Sequence, residues 1–424
     1  MELTKSARIL IVACATLLLA GPGWADERPL GANVESLLDY ARSNPEYAAM
    51  RYEADAAAQR VYPAGAFSDP MLRVELENIT NAGTSAPPSL NPSKVGDTKY
   101  TVWQPIQFWG KRGLKREVAE ADATQAQGRA AMTWAELAMR IKSDYARYYL
   151  AVQNQLLTRE ILDLLGRLET IAQARYTNGL APQQDVIRAQ VERTSMRGEL
   201  LMLESEQQGV EATLNSLLAR RTGAPLAAPE RLRRVPLPAT MQPEALVDRL
   251  RGRNPELFTE DARIVSAEKN RELTYRNRYP DFAVGVVPIQ MGSRIGEWDV
   301  MFEVNIPLQQ ESRRWQEREA ESMLAAARSR KEAVANRLTG ELYENLAGLQ
   351  AAQRIEALTT GSLLPQSEAT LQAALAGYEN GRVDFATLLD AQRQIRISKQ
   401  NLLKAQVDAQ MRLATIERLL GEEL

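Results

Sequence analysis

The residues best equipped for chemistry in this chain are carboxylates, arginines and tyrosines, and they occur in two settings. One is a pair of turn motifs: Tyr176-Thr177-Asn178-Gly179 followed by Asp185, and Tyr378-Glu379-Asn380-Gly381-Arg382 followed by Asp390. They set hydrogen-bonding and ionic side chains around two Asn-Gly reversals. The other is a set of strand-like segments in which Arg73, Glu75 and Glu77, and later Asp299 and Glu303, recur at every second position. Neither is catalytic equipment. Histidine is absent, which removes the commonest metal ligand and the commonest general base. No nucleophile–base pairing and no phosphate-binding loop stands out, and carboxylates on long helices are usually solvated, so neither an enzyme nor a cofactor is expected. The twelve methionines are scattered and fill helical seams more readily than they bind copper, so no metal site is expected. What remains for such groups is to hold helices together, line a path or grip a partner.

The rest of the composition narrows the setting. Of 424 residues, 52 are Lys or Arg and 54 are Asp or Glu. A nucleic-acid binder shows a basic excess or patch, and none stands out. Abundant Ala, Leu, Gln, Glu and Arg with few aromatics is the composition of a helix-rich protein. Residues 1–25 read as a secretory signal: Lys5 and Arg8 precede an apolar segment from Ile9 to Ala20, and Gly23-Trp24-Ala25 offers small residues for cleavage before Asp26. That run is well short of the ~20 residues of a membrane helix. Cys14, the single cysteine, lies inside it. Ile11-Val12-Ala13-Cys14 also resembles a lipoprotein site, but only five apolar residues would separate it from Arg8. Cleavage after Ala25 is the expectation, and it leaves a chain without cysteine or histidine, excluding disulfides and thiolate zinc sites. No later segment is long and apolar enough for a membrane helix, so a secreted chain of this kind is periplasmic, extracellular or a β-barrel.

The strand-like segments must position the first set of charges. From Met71 to Asn78, Leu72, Val74 and Leu76 point one way and Arg73, Glu75 and Glu77 the other. From Glu297 to Ile306, Trp298, Val300, Phe302, Val304 and Ile306 alternate with Glu297, Asp299, Met301, Glu303 and Asn305. This period of two sets an apolar face against an acidic one. Thr98 to Ile106 and Asp281 to Ile289 are weaker partners. Each stretch is near the ~9–11 residues that cross a bilayer at a tilt. A half-buried soluble sheet would alternate in the same way. The secretion signal and the repetition favour a barrel, with Arg73, Glu75, Glu77, Asp299 and Glu303 lining its lumen. Thr80 to Asp97, rich in Pro, Ser, Asn and Gly, joins the first pair, and Met291-Gly292-Ser293-Arg294 the second. Bacterial barrels put their longer loops outside, which makes the first loop an extracellular one. Four strands cannot close a barrel, and open edges are not tolerated in lipid, so the chain must pool strands with copies of itself.

The turn motifs sit between long helices, and the whole arrangement occurs twice. Tyr176 and Tyr378 lie 202 residues apart, as do Asn178 and Asn380, Gly179 and Gly381, and Gln190 and Gln392. Asn44-Pro45-Glu46 reappears as Asn254-Pro255-Glu256 at a slightly larger offset. Each half reads as a helix, two strands, a long helix, a turn and another long helix. The expected organisation is a signal peptide at 1–25, a first repeat at 26–224, a Pro- and Arg-rich linker at 225–243 and a second repeat at 244–424. From Gly110 to Arg175 no proline interrupts the chain, and a helix of that length reaches roughly 100 Å. After the first turn, Val186, Ala189, Arg193, Met196, Leu200, Leu203, Gln207, Val210, Leu214 and Leu217 follow a three-four spacing, and the same series recurs from Leu388 to Leu419. That is a coiled-coil seam with several small residues.

In this order and duplication the chain resembles the TolC family of outer-membrane efflux proteins, closest to its heavy-metal (CusC/CzcC-type) branch. The marks are Ser68-Asp69-Pro70-Met71-Leu72 entering a strand, Gln104-Pro105-Ile106 and Gly110-Lys111-Arg112-Gly113 leaving one, Tyr279-Pro280-Asp281-Phe282 and Asn305-Ile306-Pro307-Leu308 in the second half, and above all the two turns. The resemblance implies a mostly α fold with a small membrane β-barrel portion: a homotrimer with a twelve-stranded barrel in outer-membrane lipid and a long helical barrel in the periplasm. It implies a channel that works with a periplasmic adaptor protein and an inner-membrane pump, of the RND type, to export heavy-metal cations. It places Tyr176, Asn178, Gly179, Asp185, Tyr378, Asn380, Gly381, Arg382 and Asp390 at a periplasmic tip that docks the adaptor, where Tyr378, Arg382, Asp185 and Asp390 hold the entrance closed. Two other functions stay open on the residues alone: a conduit of the same fold for drugs or secreted polypeptides, and a periplasmic coiled-coil scaffold with no pore.

Overall fold

A computed structural model describes residues 30–236 and 241–424. The signal segment with Cys14, and residues 237–240 of the linker, lie outside the described residues. The chain opens with three helices, α1 (Val34–Ala41), α2 (Pro45–Gln59) and α3 (Val61–Gly65), and continues through strands β1 (Met71–Glu77) and β2 (Asp97–Ile106). Helix α4 (Lys111–Thr177) then runs without interruption for 67 residues, about 100 Å at 1.5 Å per residue, and α5 (Gln183–Leu217) returns along it. The second half repeats the order: α6 (Pro243–Arg253), α7 (Pro255–Arg276), β3 (Asp281–Met291), β4 (Arg294–Asn305), α8 (Gln310–Leu358), α9 (Leu364–Glu379) and α10 (Phe385–Leu420).

One difference from the expected pattern lies in the second arm. Between α8 and α9 the residues Thr359–Leu363 form a turn of π-helix, so the arm is continuous but wider there. The cause is Pro365, in the first turn of α9. Proline has no N–H to give and its ring crowds the carbonyl four residues back, and a π-turn relieves both by shifting the bonding register. The first arm has no proline between Gly110 and Thr177 and stays α-helical throughout.

The four strands form one antiparallel sheet in the order β1-β2-β3-β4. Its register puts Leu72 beside Val102, Val102 beside Val286, and Val286 beside Val300. On the opposite face Glu75 neighbours Lys99, Lys99 neighbours Ile289, and Ile289 neighbours Glu297. β1 and β4 are both edges, with no partner on their outer sides among the described residues. The β1–β2 loop is compact: the buried Asn81 donates to the carbonyls of Pro87 and Lys94 at 2.6 and 3.1 Å.

The helices pack around three apolar clusters. Two lie at mid-length, one around Val34, Leu37, Ile141, Tyr145, Leu214 and Leu218, the other around Leu250, Leu342, Leu346, Leu413, Ile416 and Leu419. The third fills the far end, with Leu165, Leu168, Val186, Phe385 and Leu388. Each fully buried leucine stabilises by about 1.5–3 kcal/mol. Every position of the two coiled-coil seams is buried or half-buried. Gly128 shows how closely the helices approach: a Cβ there would fall 2.3 Å from the Thr259 hydroxyl of α7.

The repeat is visible in the bonds as well as in the order of elements. Asn44 caps α2 by accepting from the Glu46 and Tyr47 amides, and its own amide donates to the Leu217 carbonyl at 2.7 Å. Asn254 caps α7 through the Glu256 and Leu257 amides and donates to the Leu419 carbonyl at 2.8 Å. The described part of the stretch between the repeats packs against the helices at Arg231 and Arg233. The Tyr145 hydroxyl donates to the Arg231 carbonyl at 3.2 Å, and the Gln410 amide to the Arg233 carbonyl at 2.6 Å.

Candidate functional site

The sheet and the tip stand at opposite ends of α4, and each gathers one of the two residue sets found in the sequence. On the sheet, the apolar side is open to the surroundings: Val300 is 84% exposed and Trp298 68%, with Leu72, Val74, Val286 and Phe302 exposed beside them. The opposite side carries Arg73, Glu75, Glu77, Lys99, Asp299 and Glu303. There Lys99 pairs with Glu77 at 2.7 Å, and the Arg73 guanidinium lies 5.0 Å over the Trp103 ring. Ala283, Val287 and Ile289 are buried on this charged side while Val284 and Val286 are exposed on the other, as curvature toward the charged side would produce. Acidic groups outnumber basic ones on this face, so it presents a negative potential.

At the tip, both helical hairpins reverse by the same device. Gly179 and Gly381 have φ of 69° and 71°, the left-handed conformation that costs glycine nothing. Leu180 and Arg382 then send their amides back to the carbonyls of Arg175 and Gly377, each at 2.8 Å. The Asn178 and Asn380 side chains donate to Ala174 and Ala376 at 2.7 and 2.8 Å, satisfying carbonyls that the helix ends leave free. The two asparagines and two glycines thus build the turns.

The turns are joined by Tyr378. It is 2% exposed, and its hydroxyl donates to the Asp185 carboxylate at 3.1 Å, tying α9 to α5. The ring packs 5.2 Å from Phe385 and lies under the Arg175 guanidinium at 5.0 Å. Arg175 also donates to the carbonyls of Glu379 and Leu180 at 2.6 and 3.1 Å, bridging both turns. Burial first, and then the Asp185 charge, push the Tyr378 phenol up to about 12, so it stays a neutral donor at any physiological pH.

The other expected tip residues are not drawn into this knot. Tyr176 is 40% exposed, Arg382 is exposed, and Asp390 is exposed with Arg393 at 3.9 Å. The chain instead supplies ion pairs that the sequence reading passed over. Arg393 grips Glu192 at 2.7 and 3.2 Å, and Arg396 holds Glu199 at 2.9 Å, lashing α10 to α5. Arg175, Glu192 and Glu199 carried no motif of their own. Glu192 and Glu199 follow Asp185 along α5 at successive spacings of two helical turns, and that spacing was the available signal.

A third feature lies at mid-length and was not foreseen. Glu417, 4% exposed, accepts from Lys142 at 2.8 Å and from both Nη atoms of Arg233 at 2.9 and 3.0 Å. Lys142 also meets Glu423 at 2.9 Å. Burial alone would raise the Glu417 carboxyl, but the bonds and charges of Arg233 and Lys142 outweigh it and hold it below the usual range. Among the described residues no helix is long and apolar enough to cross a membrane, and no cluster of three or more His, Cys, Asp or Glu side chains is arranged to hold a metal ion.

The fold is shared with known proteins. The family described as Outer membrane efflux protein matches residues 246–422, from α6 to the C-terminal end of α10. Over α6 to α10 the chain is similar to the outer-membrane efflux proteins. The cobalt-zinc-cadmium resistance protein CzcC of Cupriavidus metallidurans is 23% identical over 390 residues, covering 90% of this chain and 88% of that protein. Among solved structures, the outer membrane protein VceC of Vibrio cholerae superposes with a TM-score of 0.78 at 17% identity, covering 92% of this chain and 96% of that one. CusC superposes with a TM-score of 0.77 at 18% identity, covering 92% of each chain. Together these similarities support an outer-membrane channel of the tripartite efflux kind.

Proposed function

We propose that three copies of this chain form one duct that exports heavy-metal cations from a periplasmic adaptor and an RND-type inner-membrane pump across the outer membrane. The observation that carries this reading is the sheet: four strands, apolar on one side and acidic on the other, with both edges unpaired. Unpaired edges are not tolerated in lipid, and three such sheets joined edge to edge make a twelve-stranded barrel. Arg73, Glu75, Glu77, Asp299 and Glu303 then line the lumen, where an acidic wall concentrates cations without binding any one of them. The likeness to a cobalt-zinc-cadmium resistance protein supports the choice of cargo. Residues 26–224 and 244–424 act as two efflux repeats flanking the 225–243 linker.

In this reading the paired tips are the periplasmic entrance. Tyr176, Asn178, Gly179, Asp185, Tyr378, Asn380, Gly381, Arg382 and Asp390 form the surface the adaptor meets. The Tyr378–Asp185 bond holds the two hairpins of one subunit together. Arg382 and Asp390, exposed in the single chain, are free to reach a neighbouring subunit. Adaptor contacts that favour the separated tips more than the joined ones would open the entrance, as any population shift requires.

The test has two arms. Purified protein in a planar bilayer should conduct as discrete channels, and a protein that forms no conducting channel would instead be a scaffold. A strain lacking the protein should become sensitive to divalent heavy metals. Sensitivity to drugs alone, with metal tolerance unchanged, would reassign the duct to drugs or polypeptides.

A further inference from the structure

Where the strands become helices, the chain carries a band of aromatic and basic side chains that the duct itself does not use. On the apolar side of the sheet, Phe108, Phe282 and Phe302 form a row, with ring centroids 5.4 and 5.8 Å apart. Just below it Trp109 packs on Tyr279 at 5.1 Å, and the Trp109 indole donates to the Pro280 carbonyl at 3.1 Å. Aromatic rings of this kind mark the border between hydrocarbon and headgroups in membrane barrels.

The charges beneath this border are strongly one-signed. Residues 60–70, 111–118, 276–280 and 310–318 together hold ten basic and four acidic side chains, whereas the loop 78–96 at the other end of the strands holds one basic residue and no acidic one. The first turn of α4 has no acidic residue; its sequence is Lys111-Arg112-Gly113-Leu114-Lys115-Arg116. Cations there oppose the helix dipole, so local stability does not account for them. Some of these cations are spent inside the chain, as with Lys111 on Asp281 at 2.9 Å and Arg278 on Glu317 at 2.5 Å. Others point outward. Arg318 lies 4.9 Å over the exposed Trp315 ring, whereas Arg112, 3.4 Å over Phe67, is half-buried and donates to the Gly65 carbonyl at 2.9 and 3.0 Å. Arg314, between them in sequence with Trp315, is exposed as well.

We infer that this band is a docking surface for anionic phospholipid headgroups in the inner leaflet of the outer membrane. Two observations commit it to lipid. The band is continuous with the apolar side of the sheet, at the level where that side ends and the helices begin. Its basic excess complements phosphate, and arginine suits phosphate through its planar fork of donors. Such a belt would fix the depth of the channel in the membrane.

The experiment uses the full-length purified assembly exchanged into nanodiscs made with equal amounts of phosphatidylglycerol and phosphatidylcholine. Lipid that stays with the protein after detergent extraction is counted by mass spectrometry. The parent should retain phosphatidylglycerol in excess. The pair Arg314→Gln with Arg318→Gln should lower that preference by about fivefold per arginine at most, while Arg354→Gln, on an exposed site far along α8, should leave it unchanged. Among the described residues neither arginine of the pair has a hydrogen-bond or ion-pair partner that the change would break, and Arg318 only lies over the Trp315 ring. Should the variant fail to assemble, the parent decides alone: its preference must fall as salt is raised from about 0.05 to 0.5 M, because headgroup attraction is screened. Equal retention of both lipids by the parent, or a preference unmoved by the substitutions and by salt, overturns the inference. The inference rests on the barrel being in the membrane. A parent that takes up neither lipid would sink that reading, whereas equal uptake of both would sink only the headgroup belt.

Discussion

The two halves of the chain were built to one plan, and the places where they part company are informative. The caps that fix helix entry, Asn44 and Asn254, make the same bonds to Leu217 and Leu419. The reversals at Gly179 and Gly381 have the same backbone conformation. These are positions where both arms must meet the same geometric demand. The halves differ in three other places. The first strand pair is joined by residues 78–96, the second by a tight turn at Gly292. The first arm is an unbroken α-helix, while the second widens into a π-turn before Pro365. Finally, Tyr176 is open to solvent where Tyr378 is sealed between hairpins. The second repeat has therefore taken on the connecting roles: it holds the buried tyrosine, the interrupted arm and, at mid-length, the buried Glu417.

The sharpest test of this asymmetry sets Glu417 against its counterpart in the first repeat, Asn215. Both are buried. Asn215 donates to the carbonyls of Thr222 and Ala224 and accepts from Arg220 at 3.3 Å without supplying a charge, whereas Glu417 compensates Lys142 and Arg233. Glu417→Gln leaves Arg233 without its carboxylate and Lys142 with Glu423 alone, and should cost about 3–5 kcal/mol, read as a lowered denaturation midpoint. Asn215→Ala should cost only ~1–3 kcal/mol. Equal losses would mean that the charge in the second repeat adds nothing. The pH dependence follows from the depressed Glu417 value. A carboxyl that is more acidic folded than unfolded stabilises above the ordinary glutamate pKa of about 4.3. That stability is lost as pH falls through the lower folded value, so thermal unfolding should shift at acid pH in the parent and much less in Glu417→Gln.

The next test compares two neighbours on β4 that the register sends to opposite sides of the sheet. Val300→Arg places a charge on the apolar side, where mid-bilayer burial costs about 2–4 kcal/mol, and should reduce the amount of assembled protein recovered from the outer membrane. Asp299→Asn, on the acidic side, should be recovered at the parent level. If both variants assembled equally well, the apolar side would not face lipid.

Much of this architecture was legible in the sequence because it rests on periodicity. Alternation between Trp298 and Glu303 places side chains whatever surrounds the sheet, and a three-four spacing from Val186 to Leu217 places a seam whatever packs on it. The Asn-Gly turns were legible because left-handed backbone strongly favours glycine. The π-turn was not read, although Pro365 was in plain sight, because a proline within a long helix can kink, end or widen it, and only packing selects among these. Nor was the Lys142–Glu417–Arg233 cluster. Its members are 275 and 184 residues apart in sequence, and nothing local distinguishes a glutamate that will be buried from one that stays in water. At the tip, Tyr378 and Asp185 were singled out by resemblance but not paired with each other, whereas Arg175, Arg393 and Arg396 looked like any other surface arginines.

A smaller effect tests how alike the repeats remain. Asn44→Ala and Asn254→Ala each remove a helix cap and leave a backbone carbonyl without its donor, at about 1–3 kcal/mol. The two losses should agree to within about 0.5 kcal/mol and should add in the double variant, since distant sites without shared partners behave independently. Chemical denaturation of the three variants measures this. A large difference between them would show that the shared bonds carry unequal loads.

The smallest expected change in stability bears most directly on opening. Tyr378→Phe keeps the ring against Phe385 and beneath Arg175 and removes only the hydroxyl that reaches Asp185. One such bond contributes about 0.5–1.5 kcal/mol, so the melting temperature should hardly move. The exposed Arg382 contributes less still, ~0–1 kcal/mol through any single ion pair with a neighbour. In a threefold assembly each loss is counted three times against one shared opening, so the closed state can lose a few kcal/mol while each subunit stays folded. Single-channel recordings of Tyr378→Phe combined with Arg382→Ser should therefore show larger or more frequent openings than the parent. Tyr176→Phe, at the solvent-facing counterpart, should not. Tyr378 remains un-ionised until pH approaches about 12, so no titration within the working range of a bilayer can mimic the substitution. If the double variant conducts like the parent while its assembly is intact, the tyrosine serves only to shape the turn, and the asymmetry between the two tips has no part in gating.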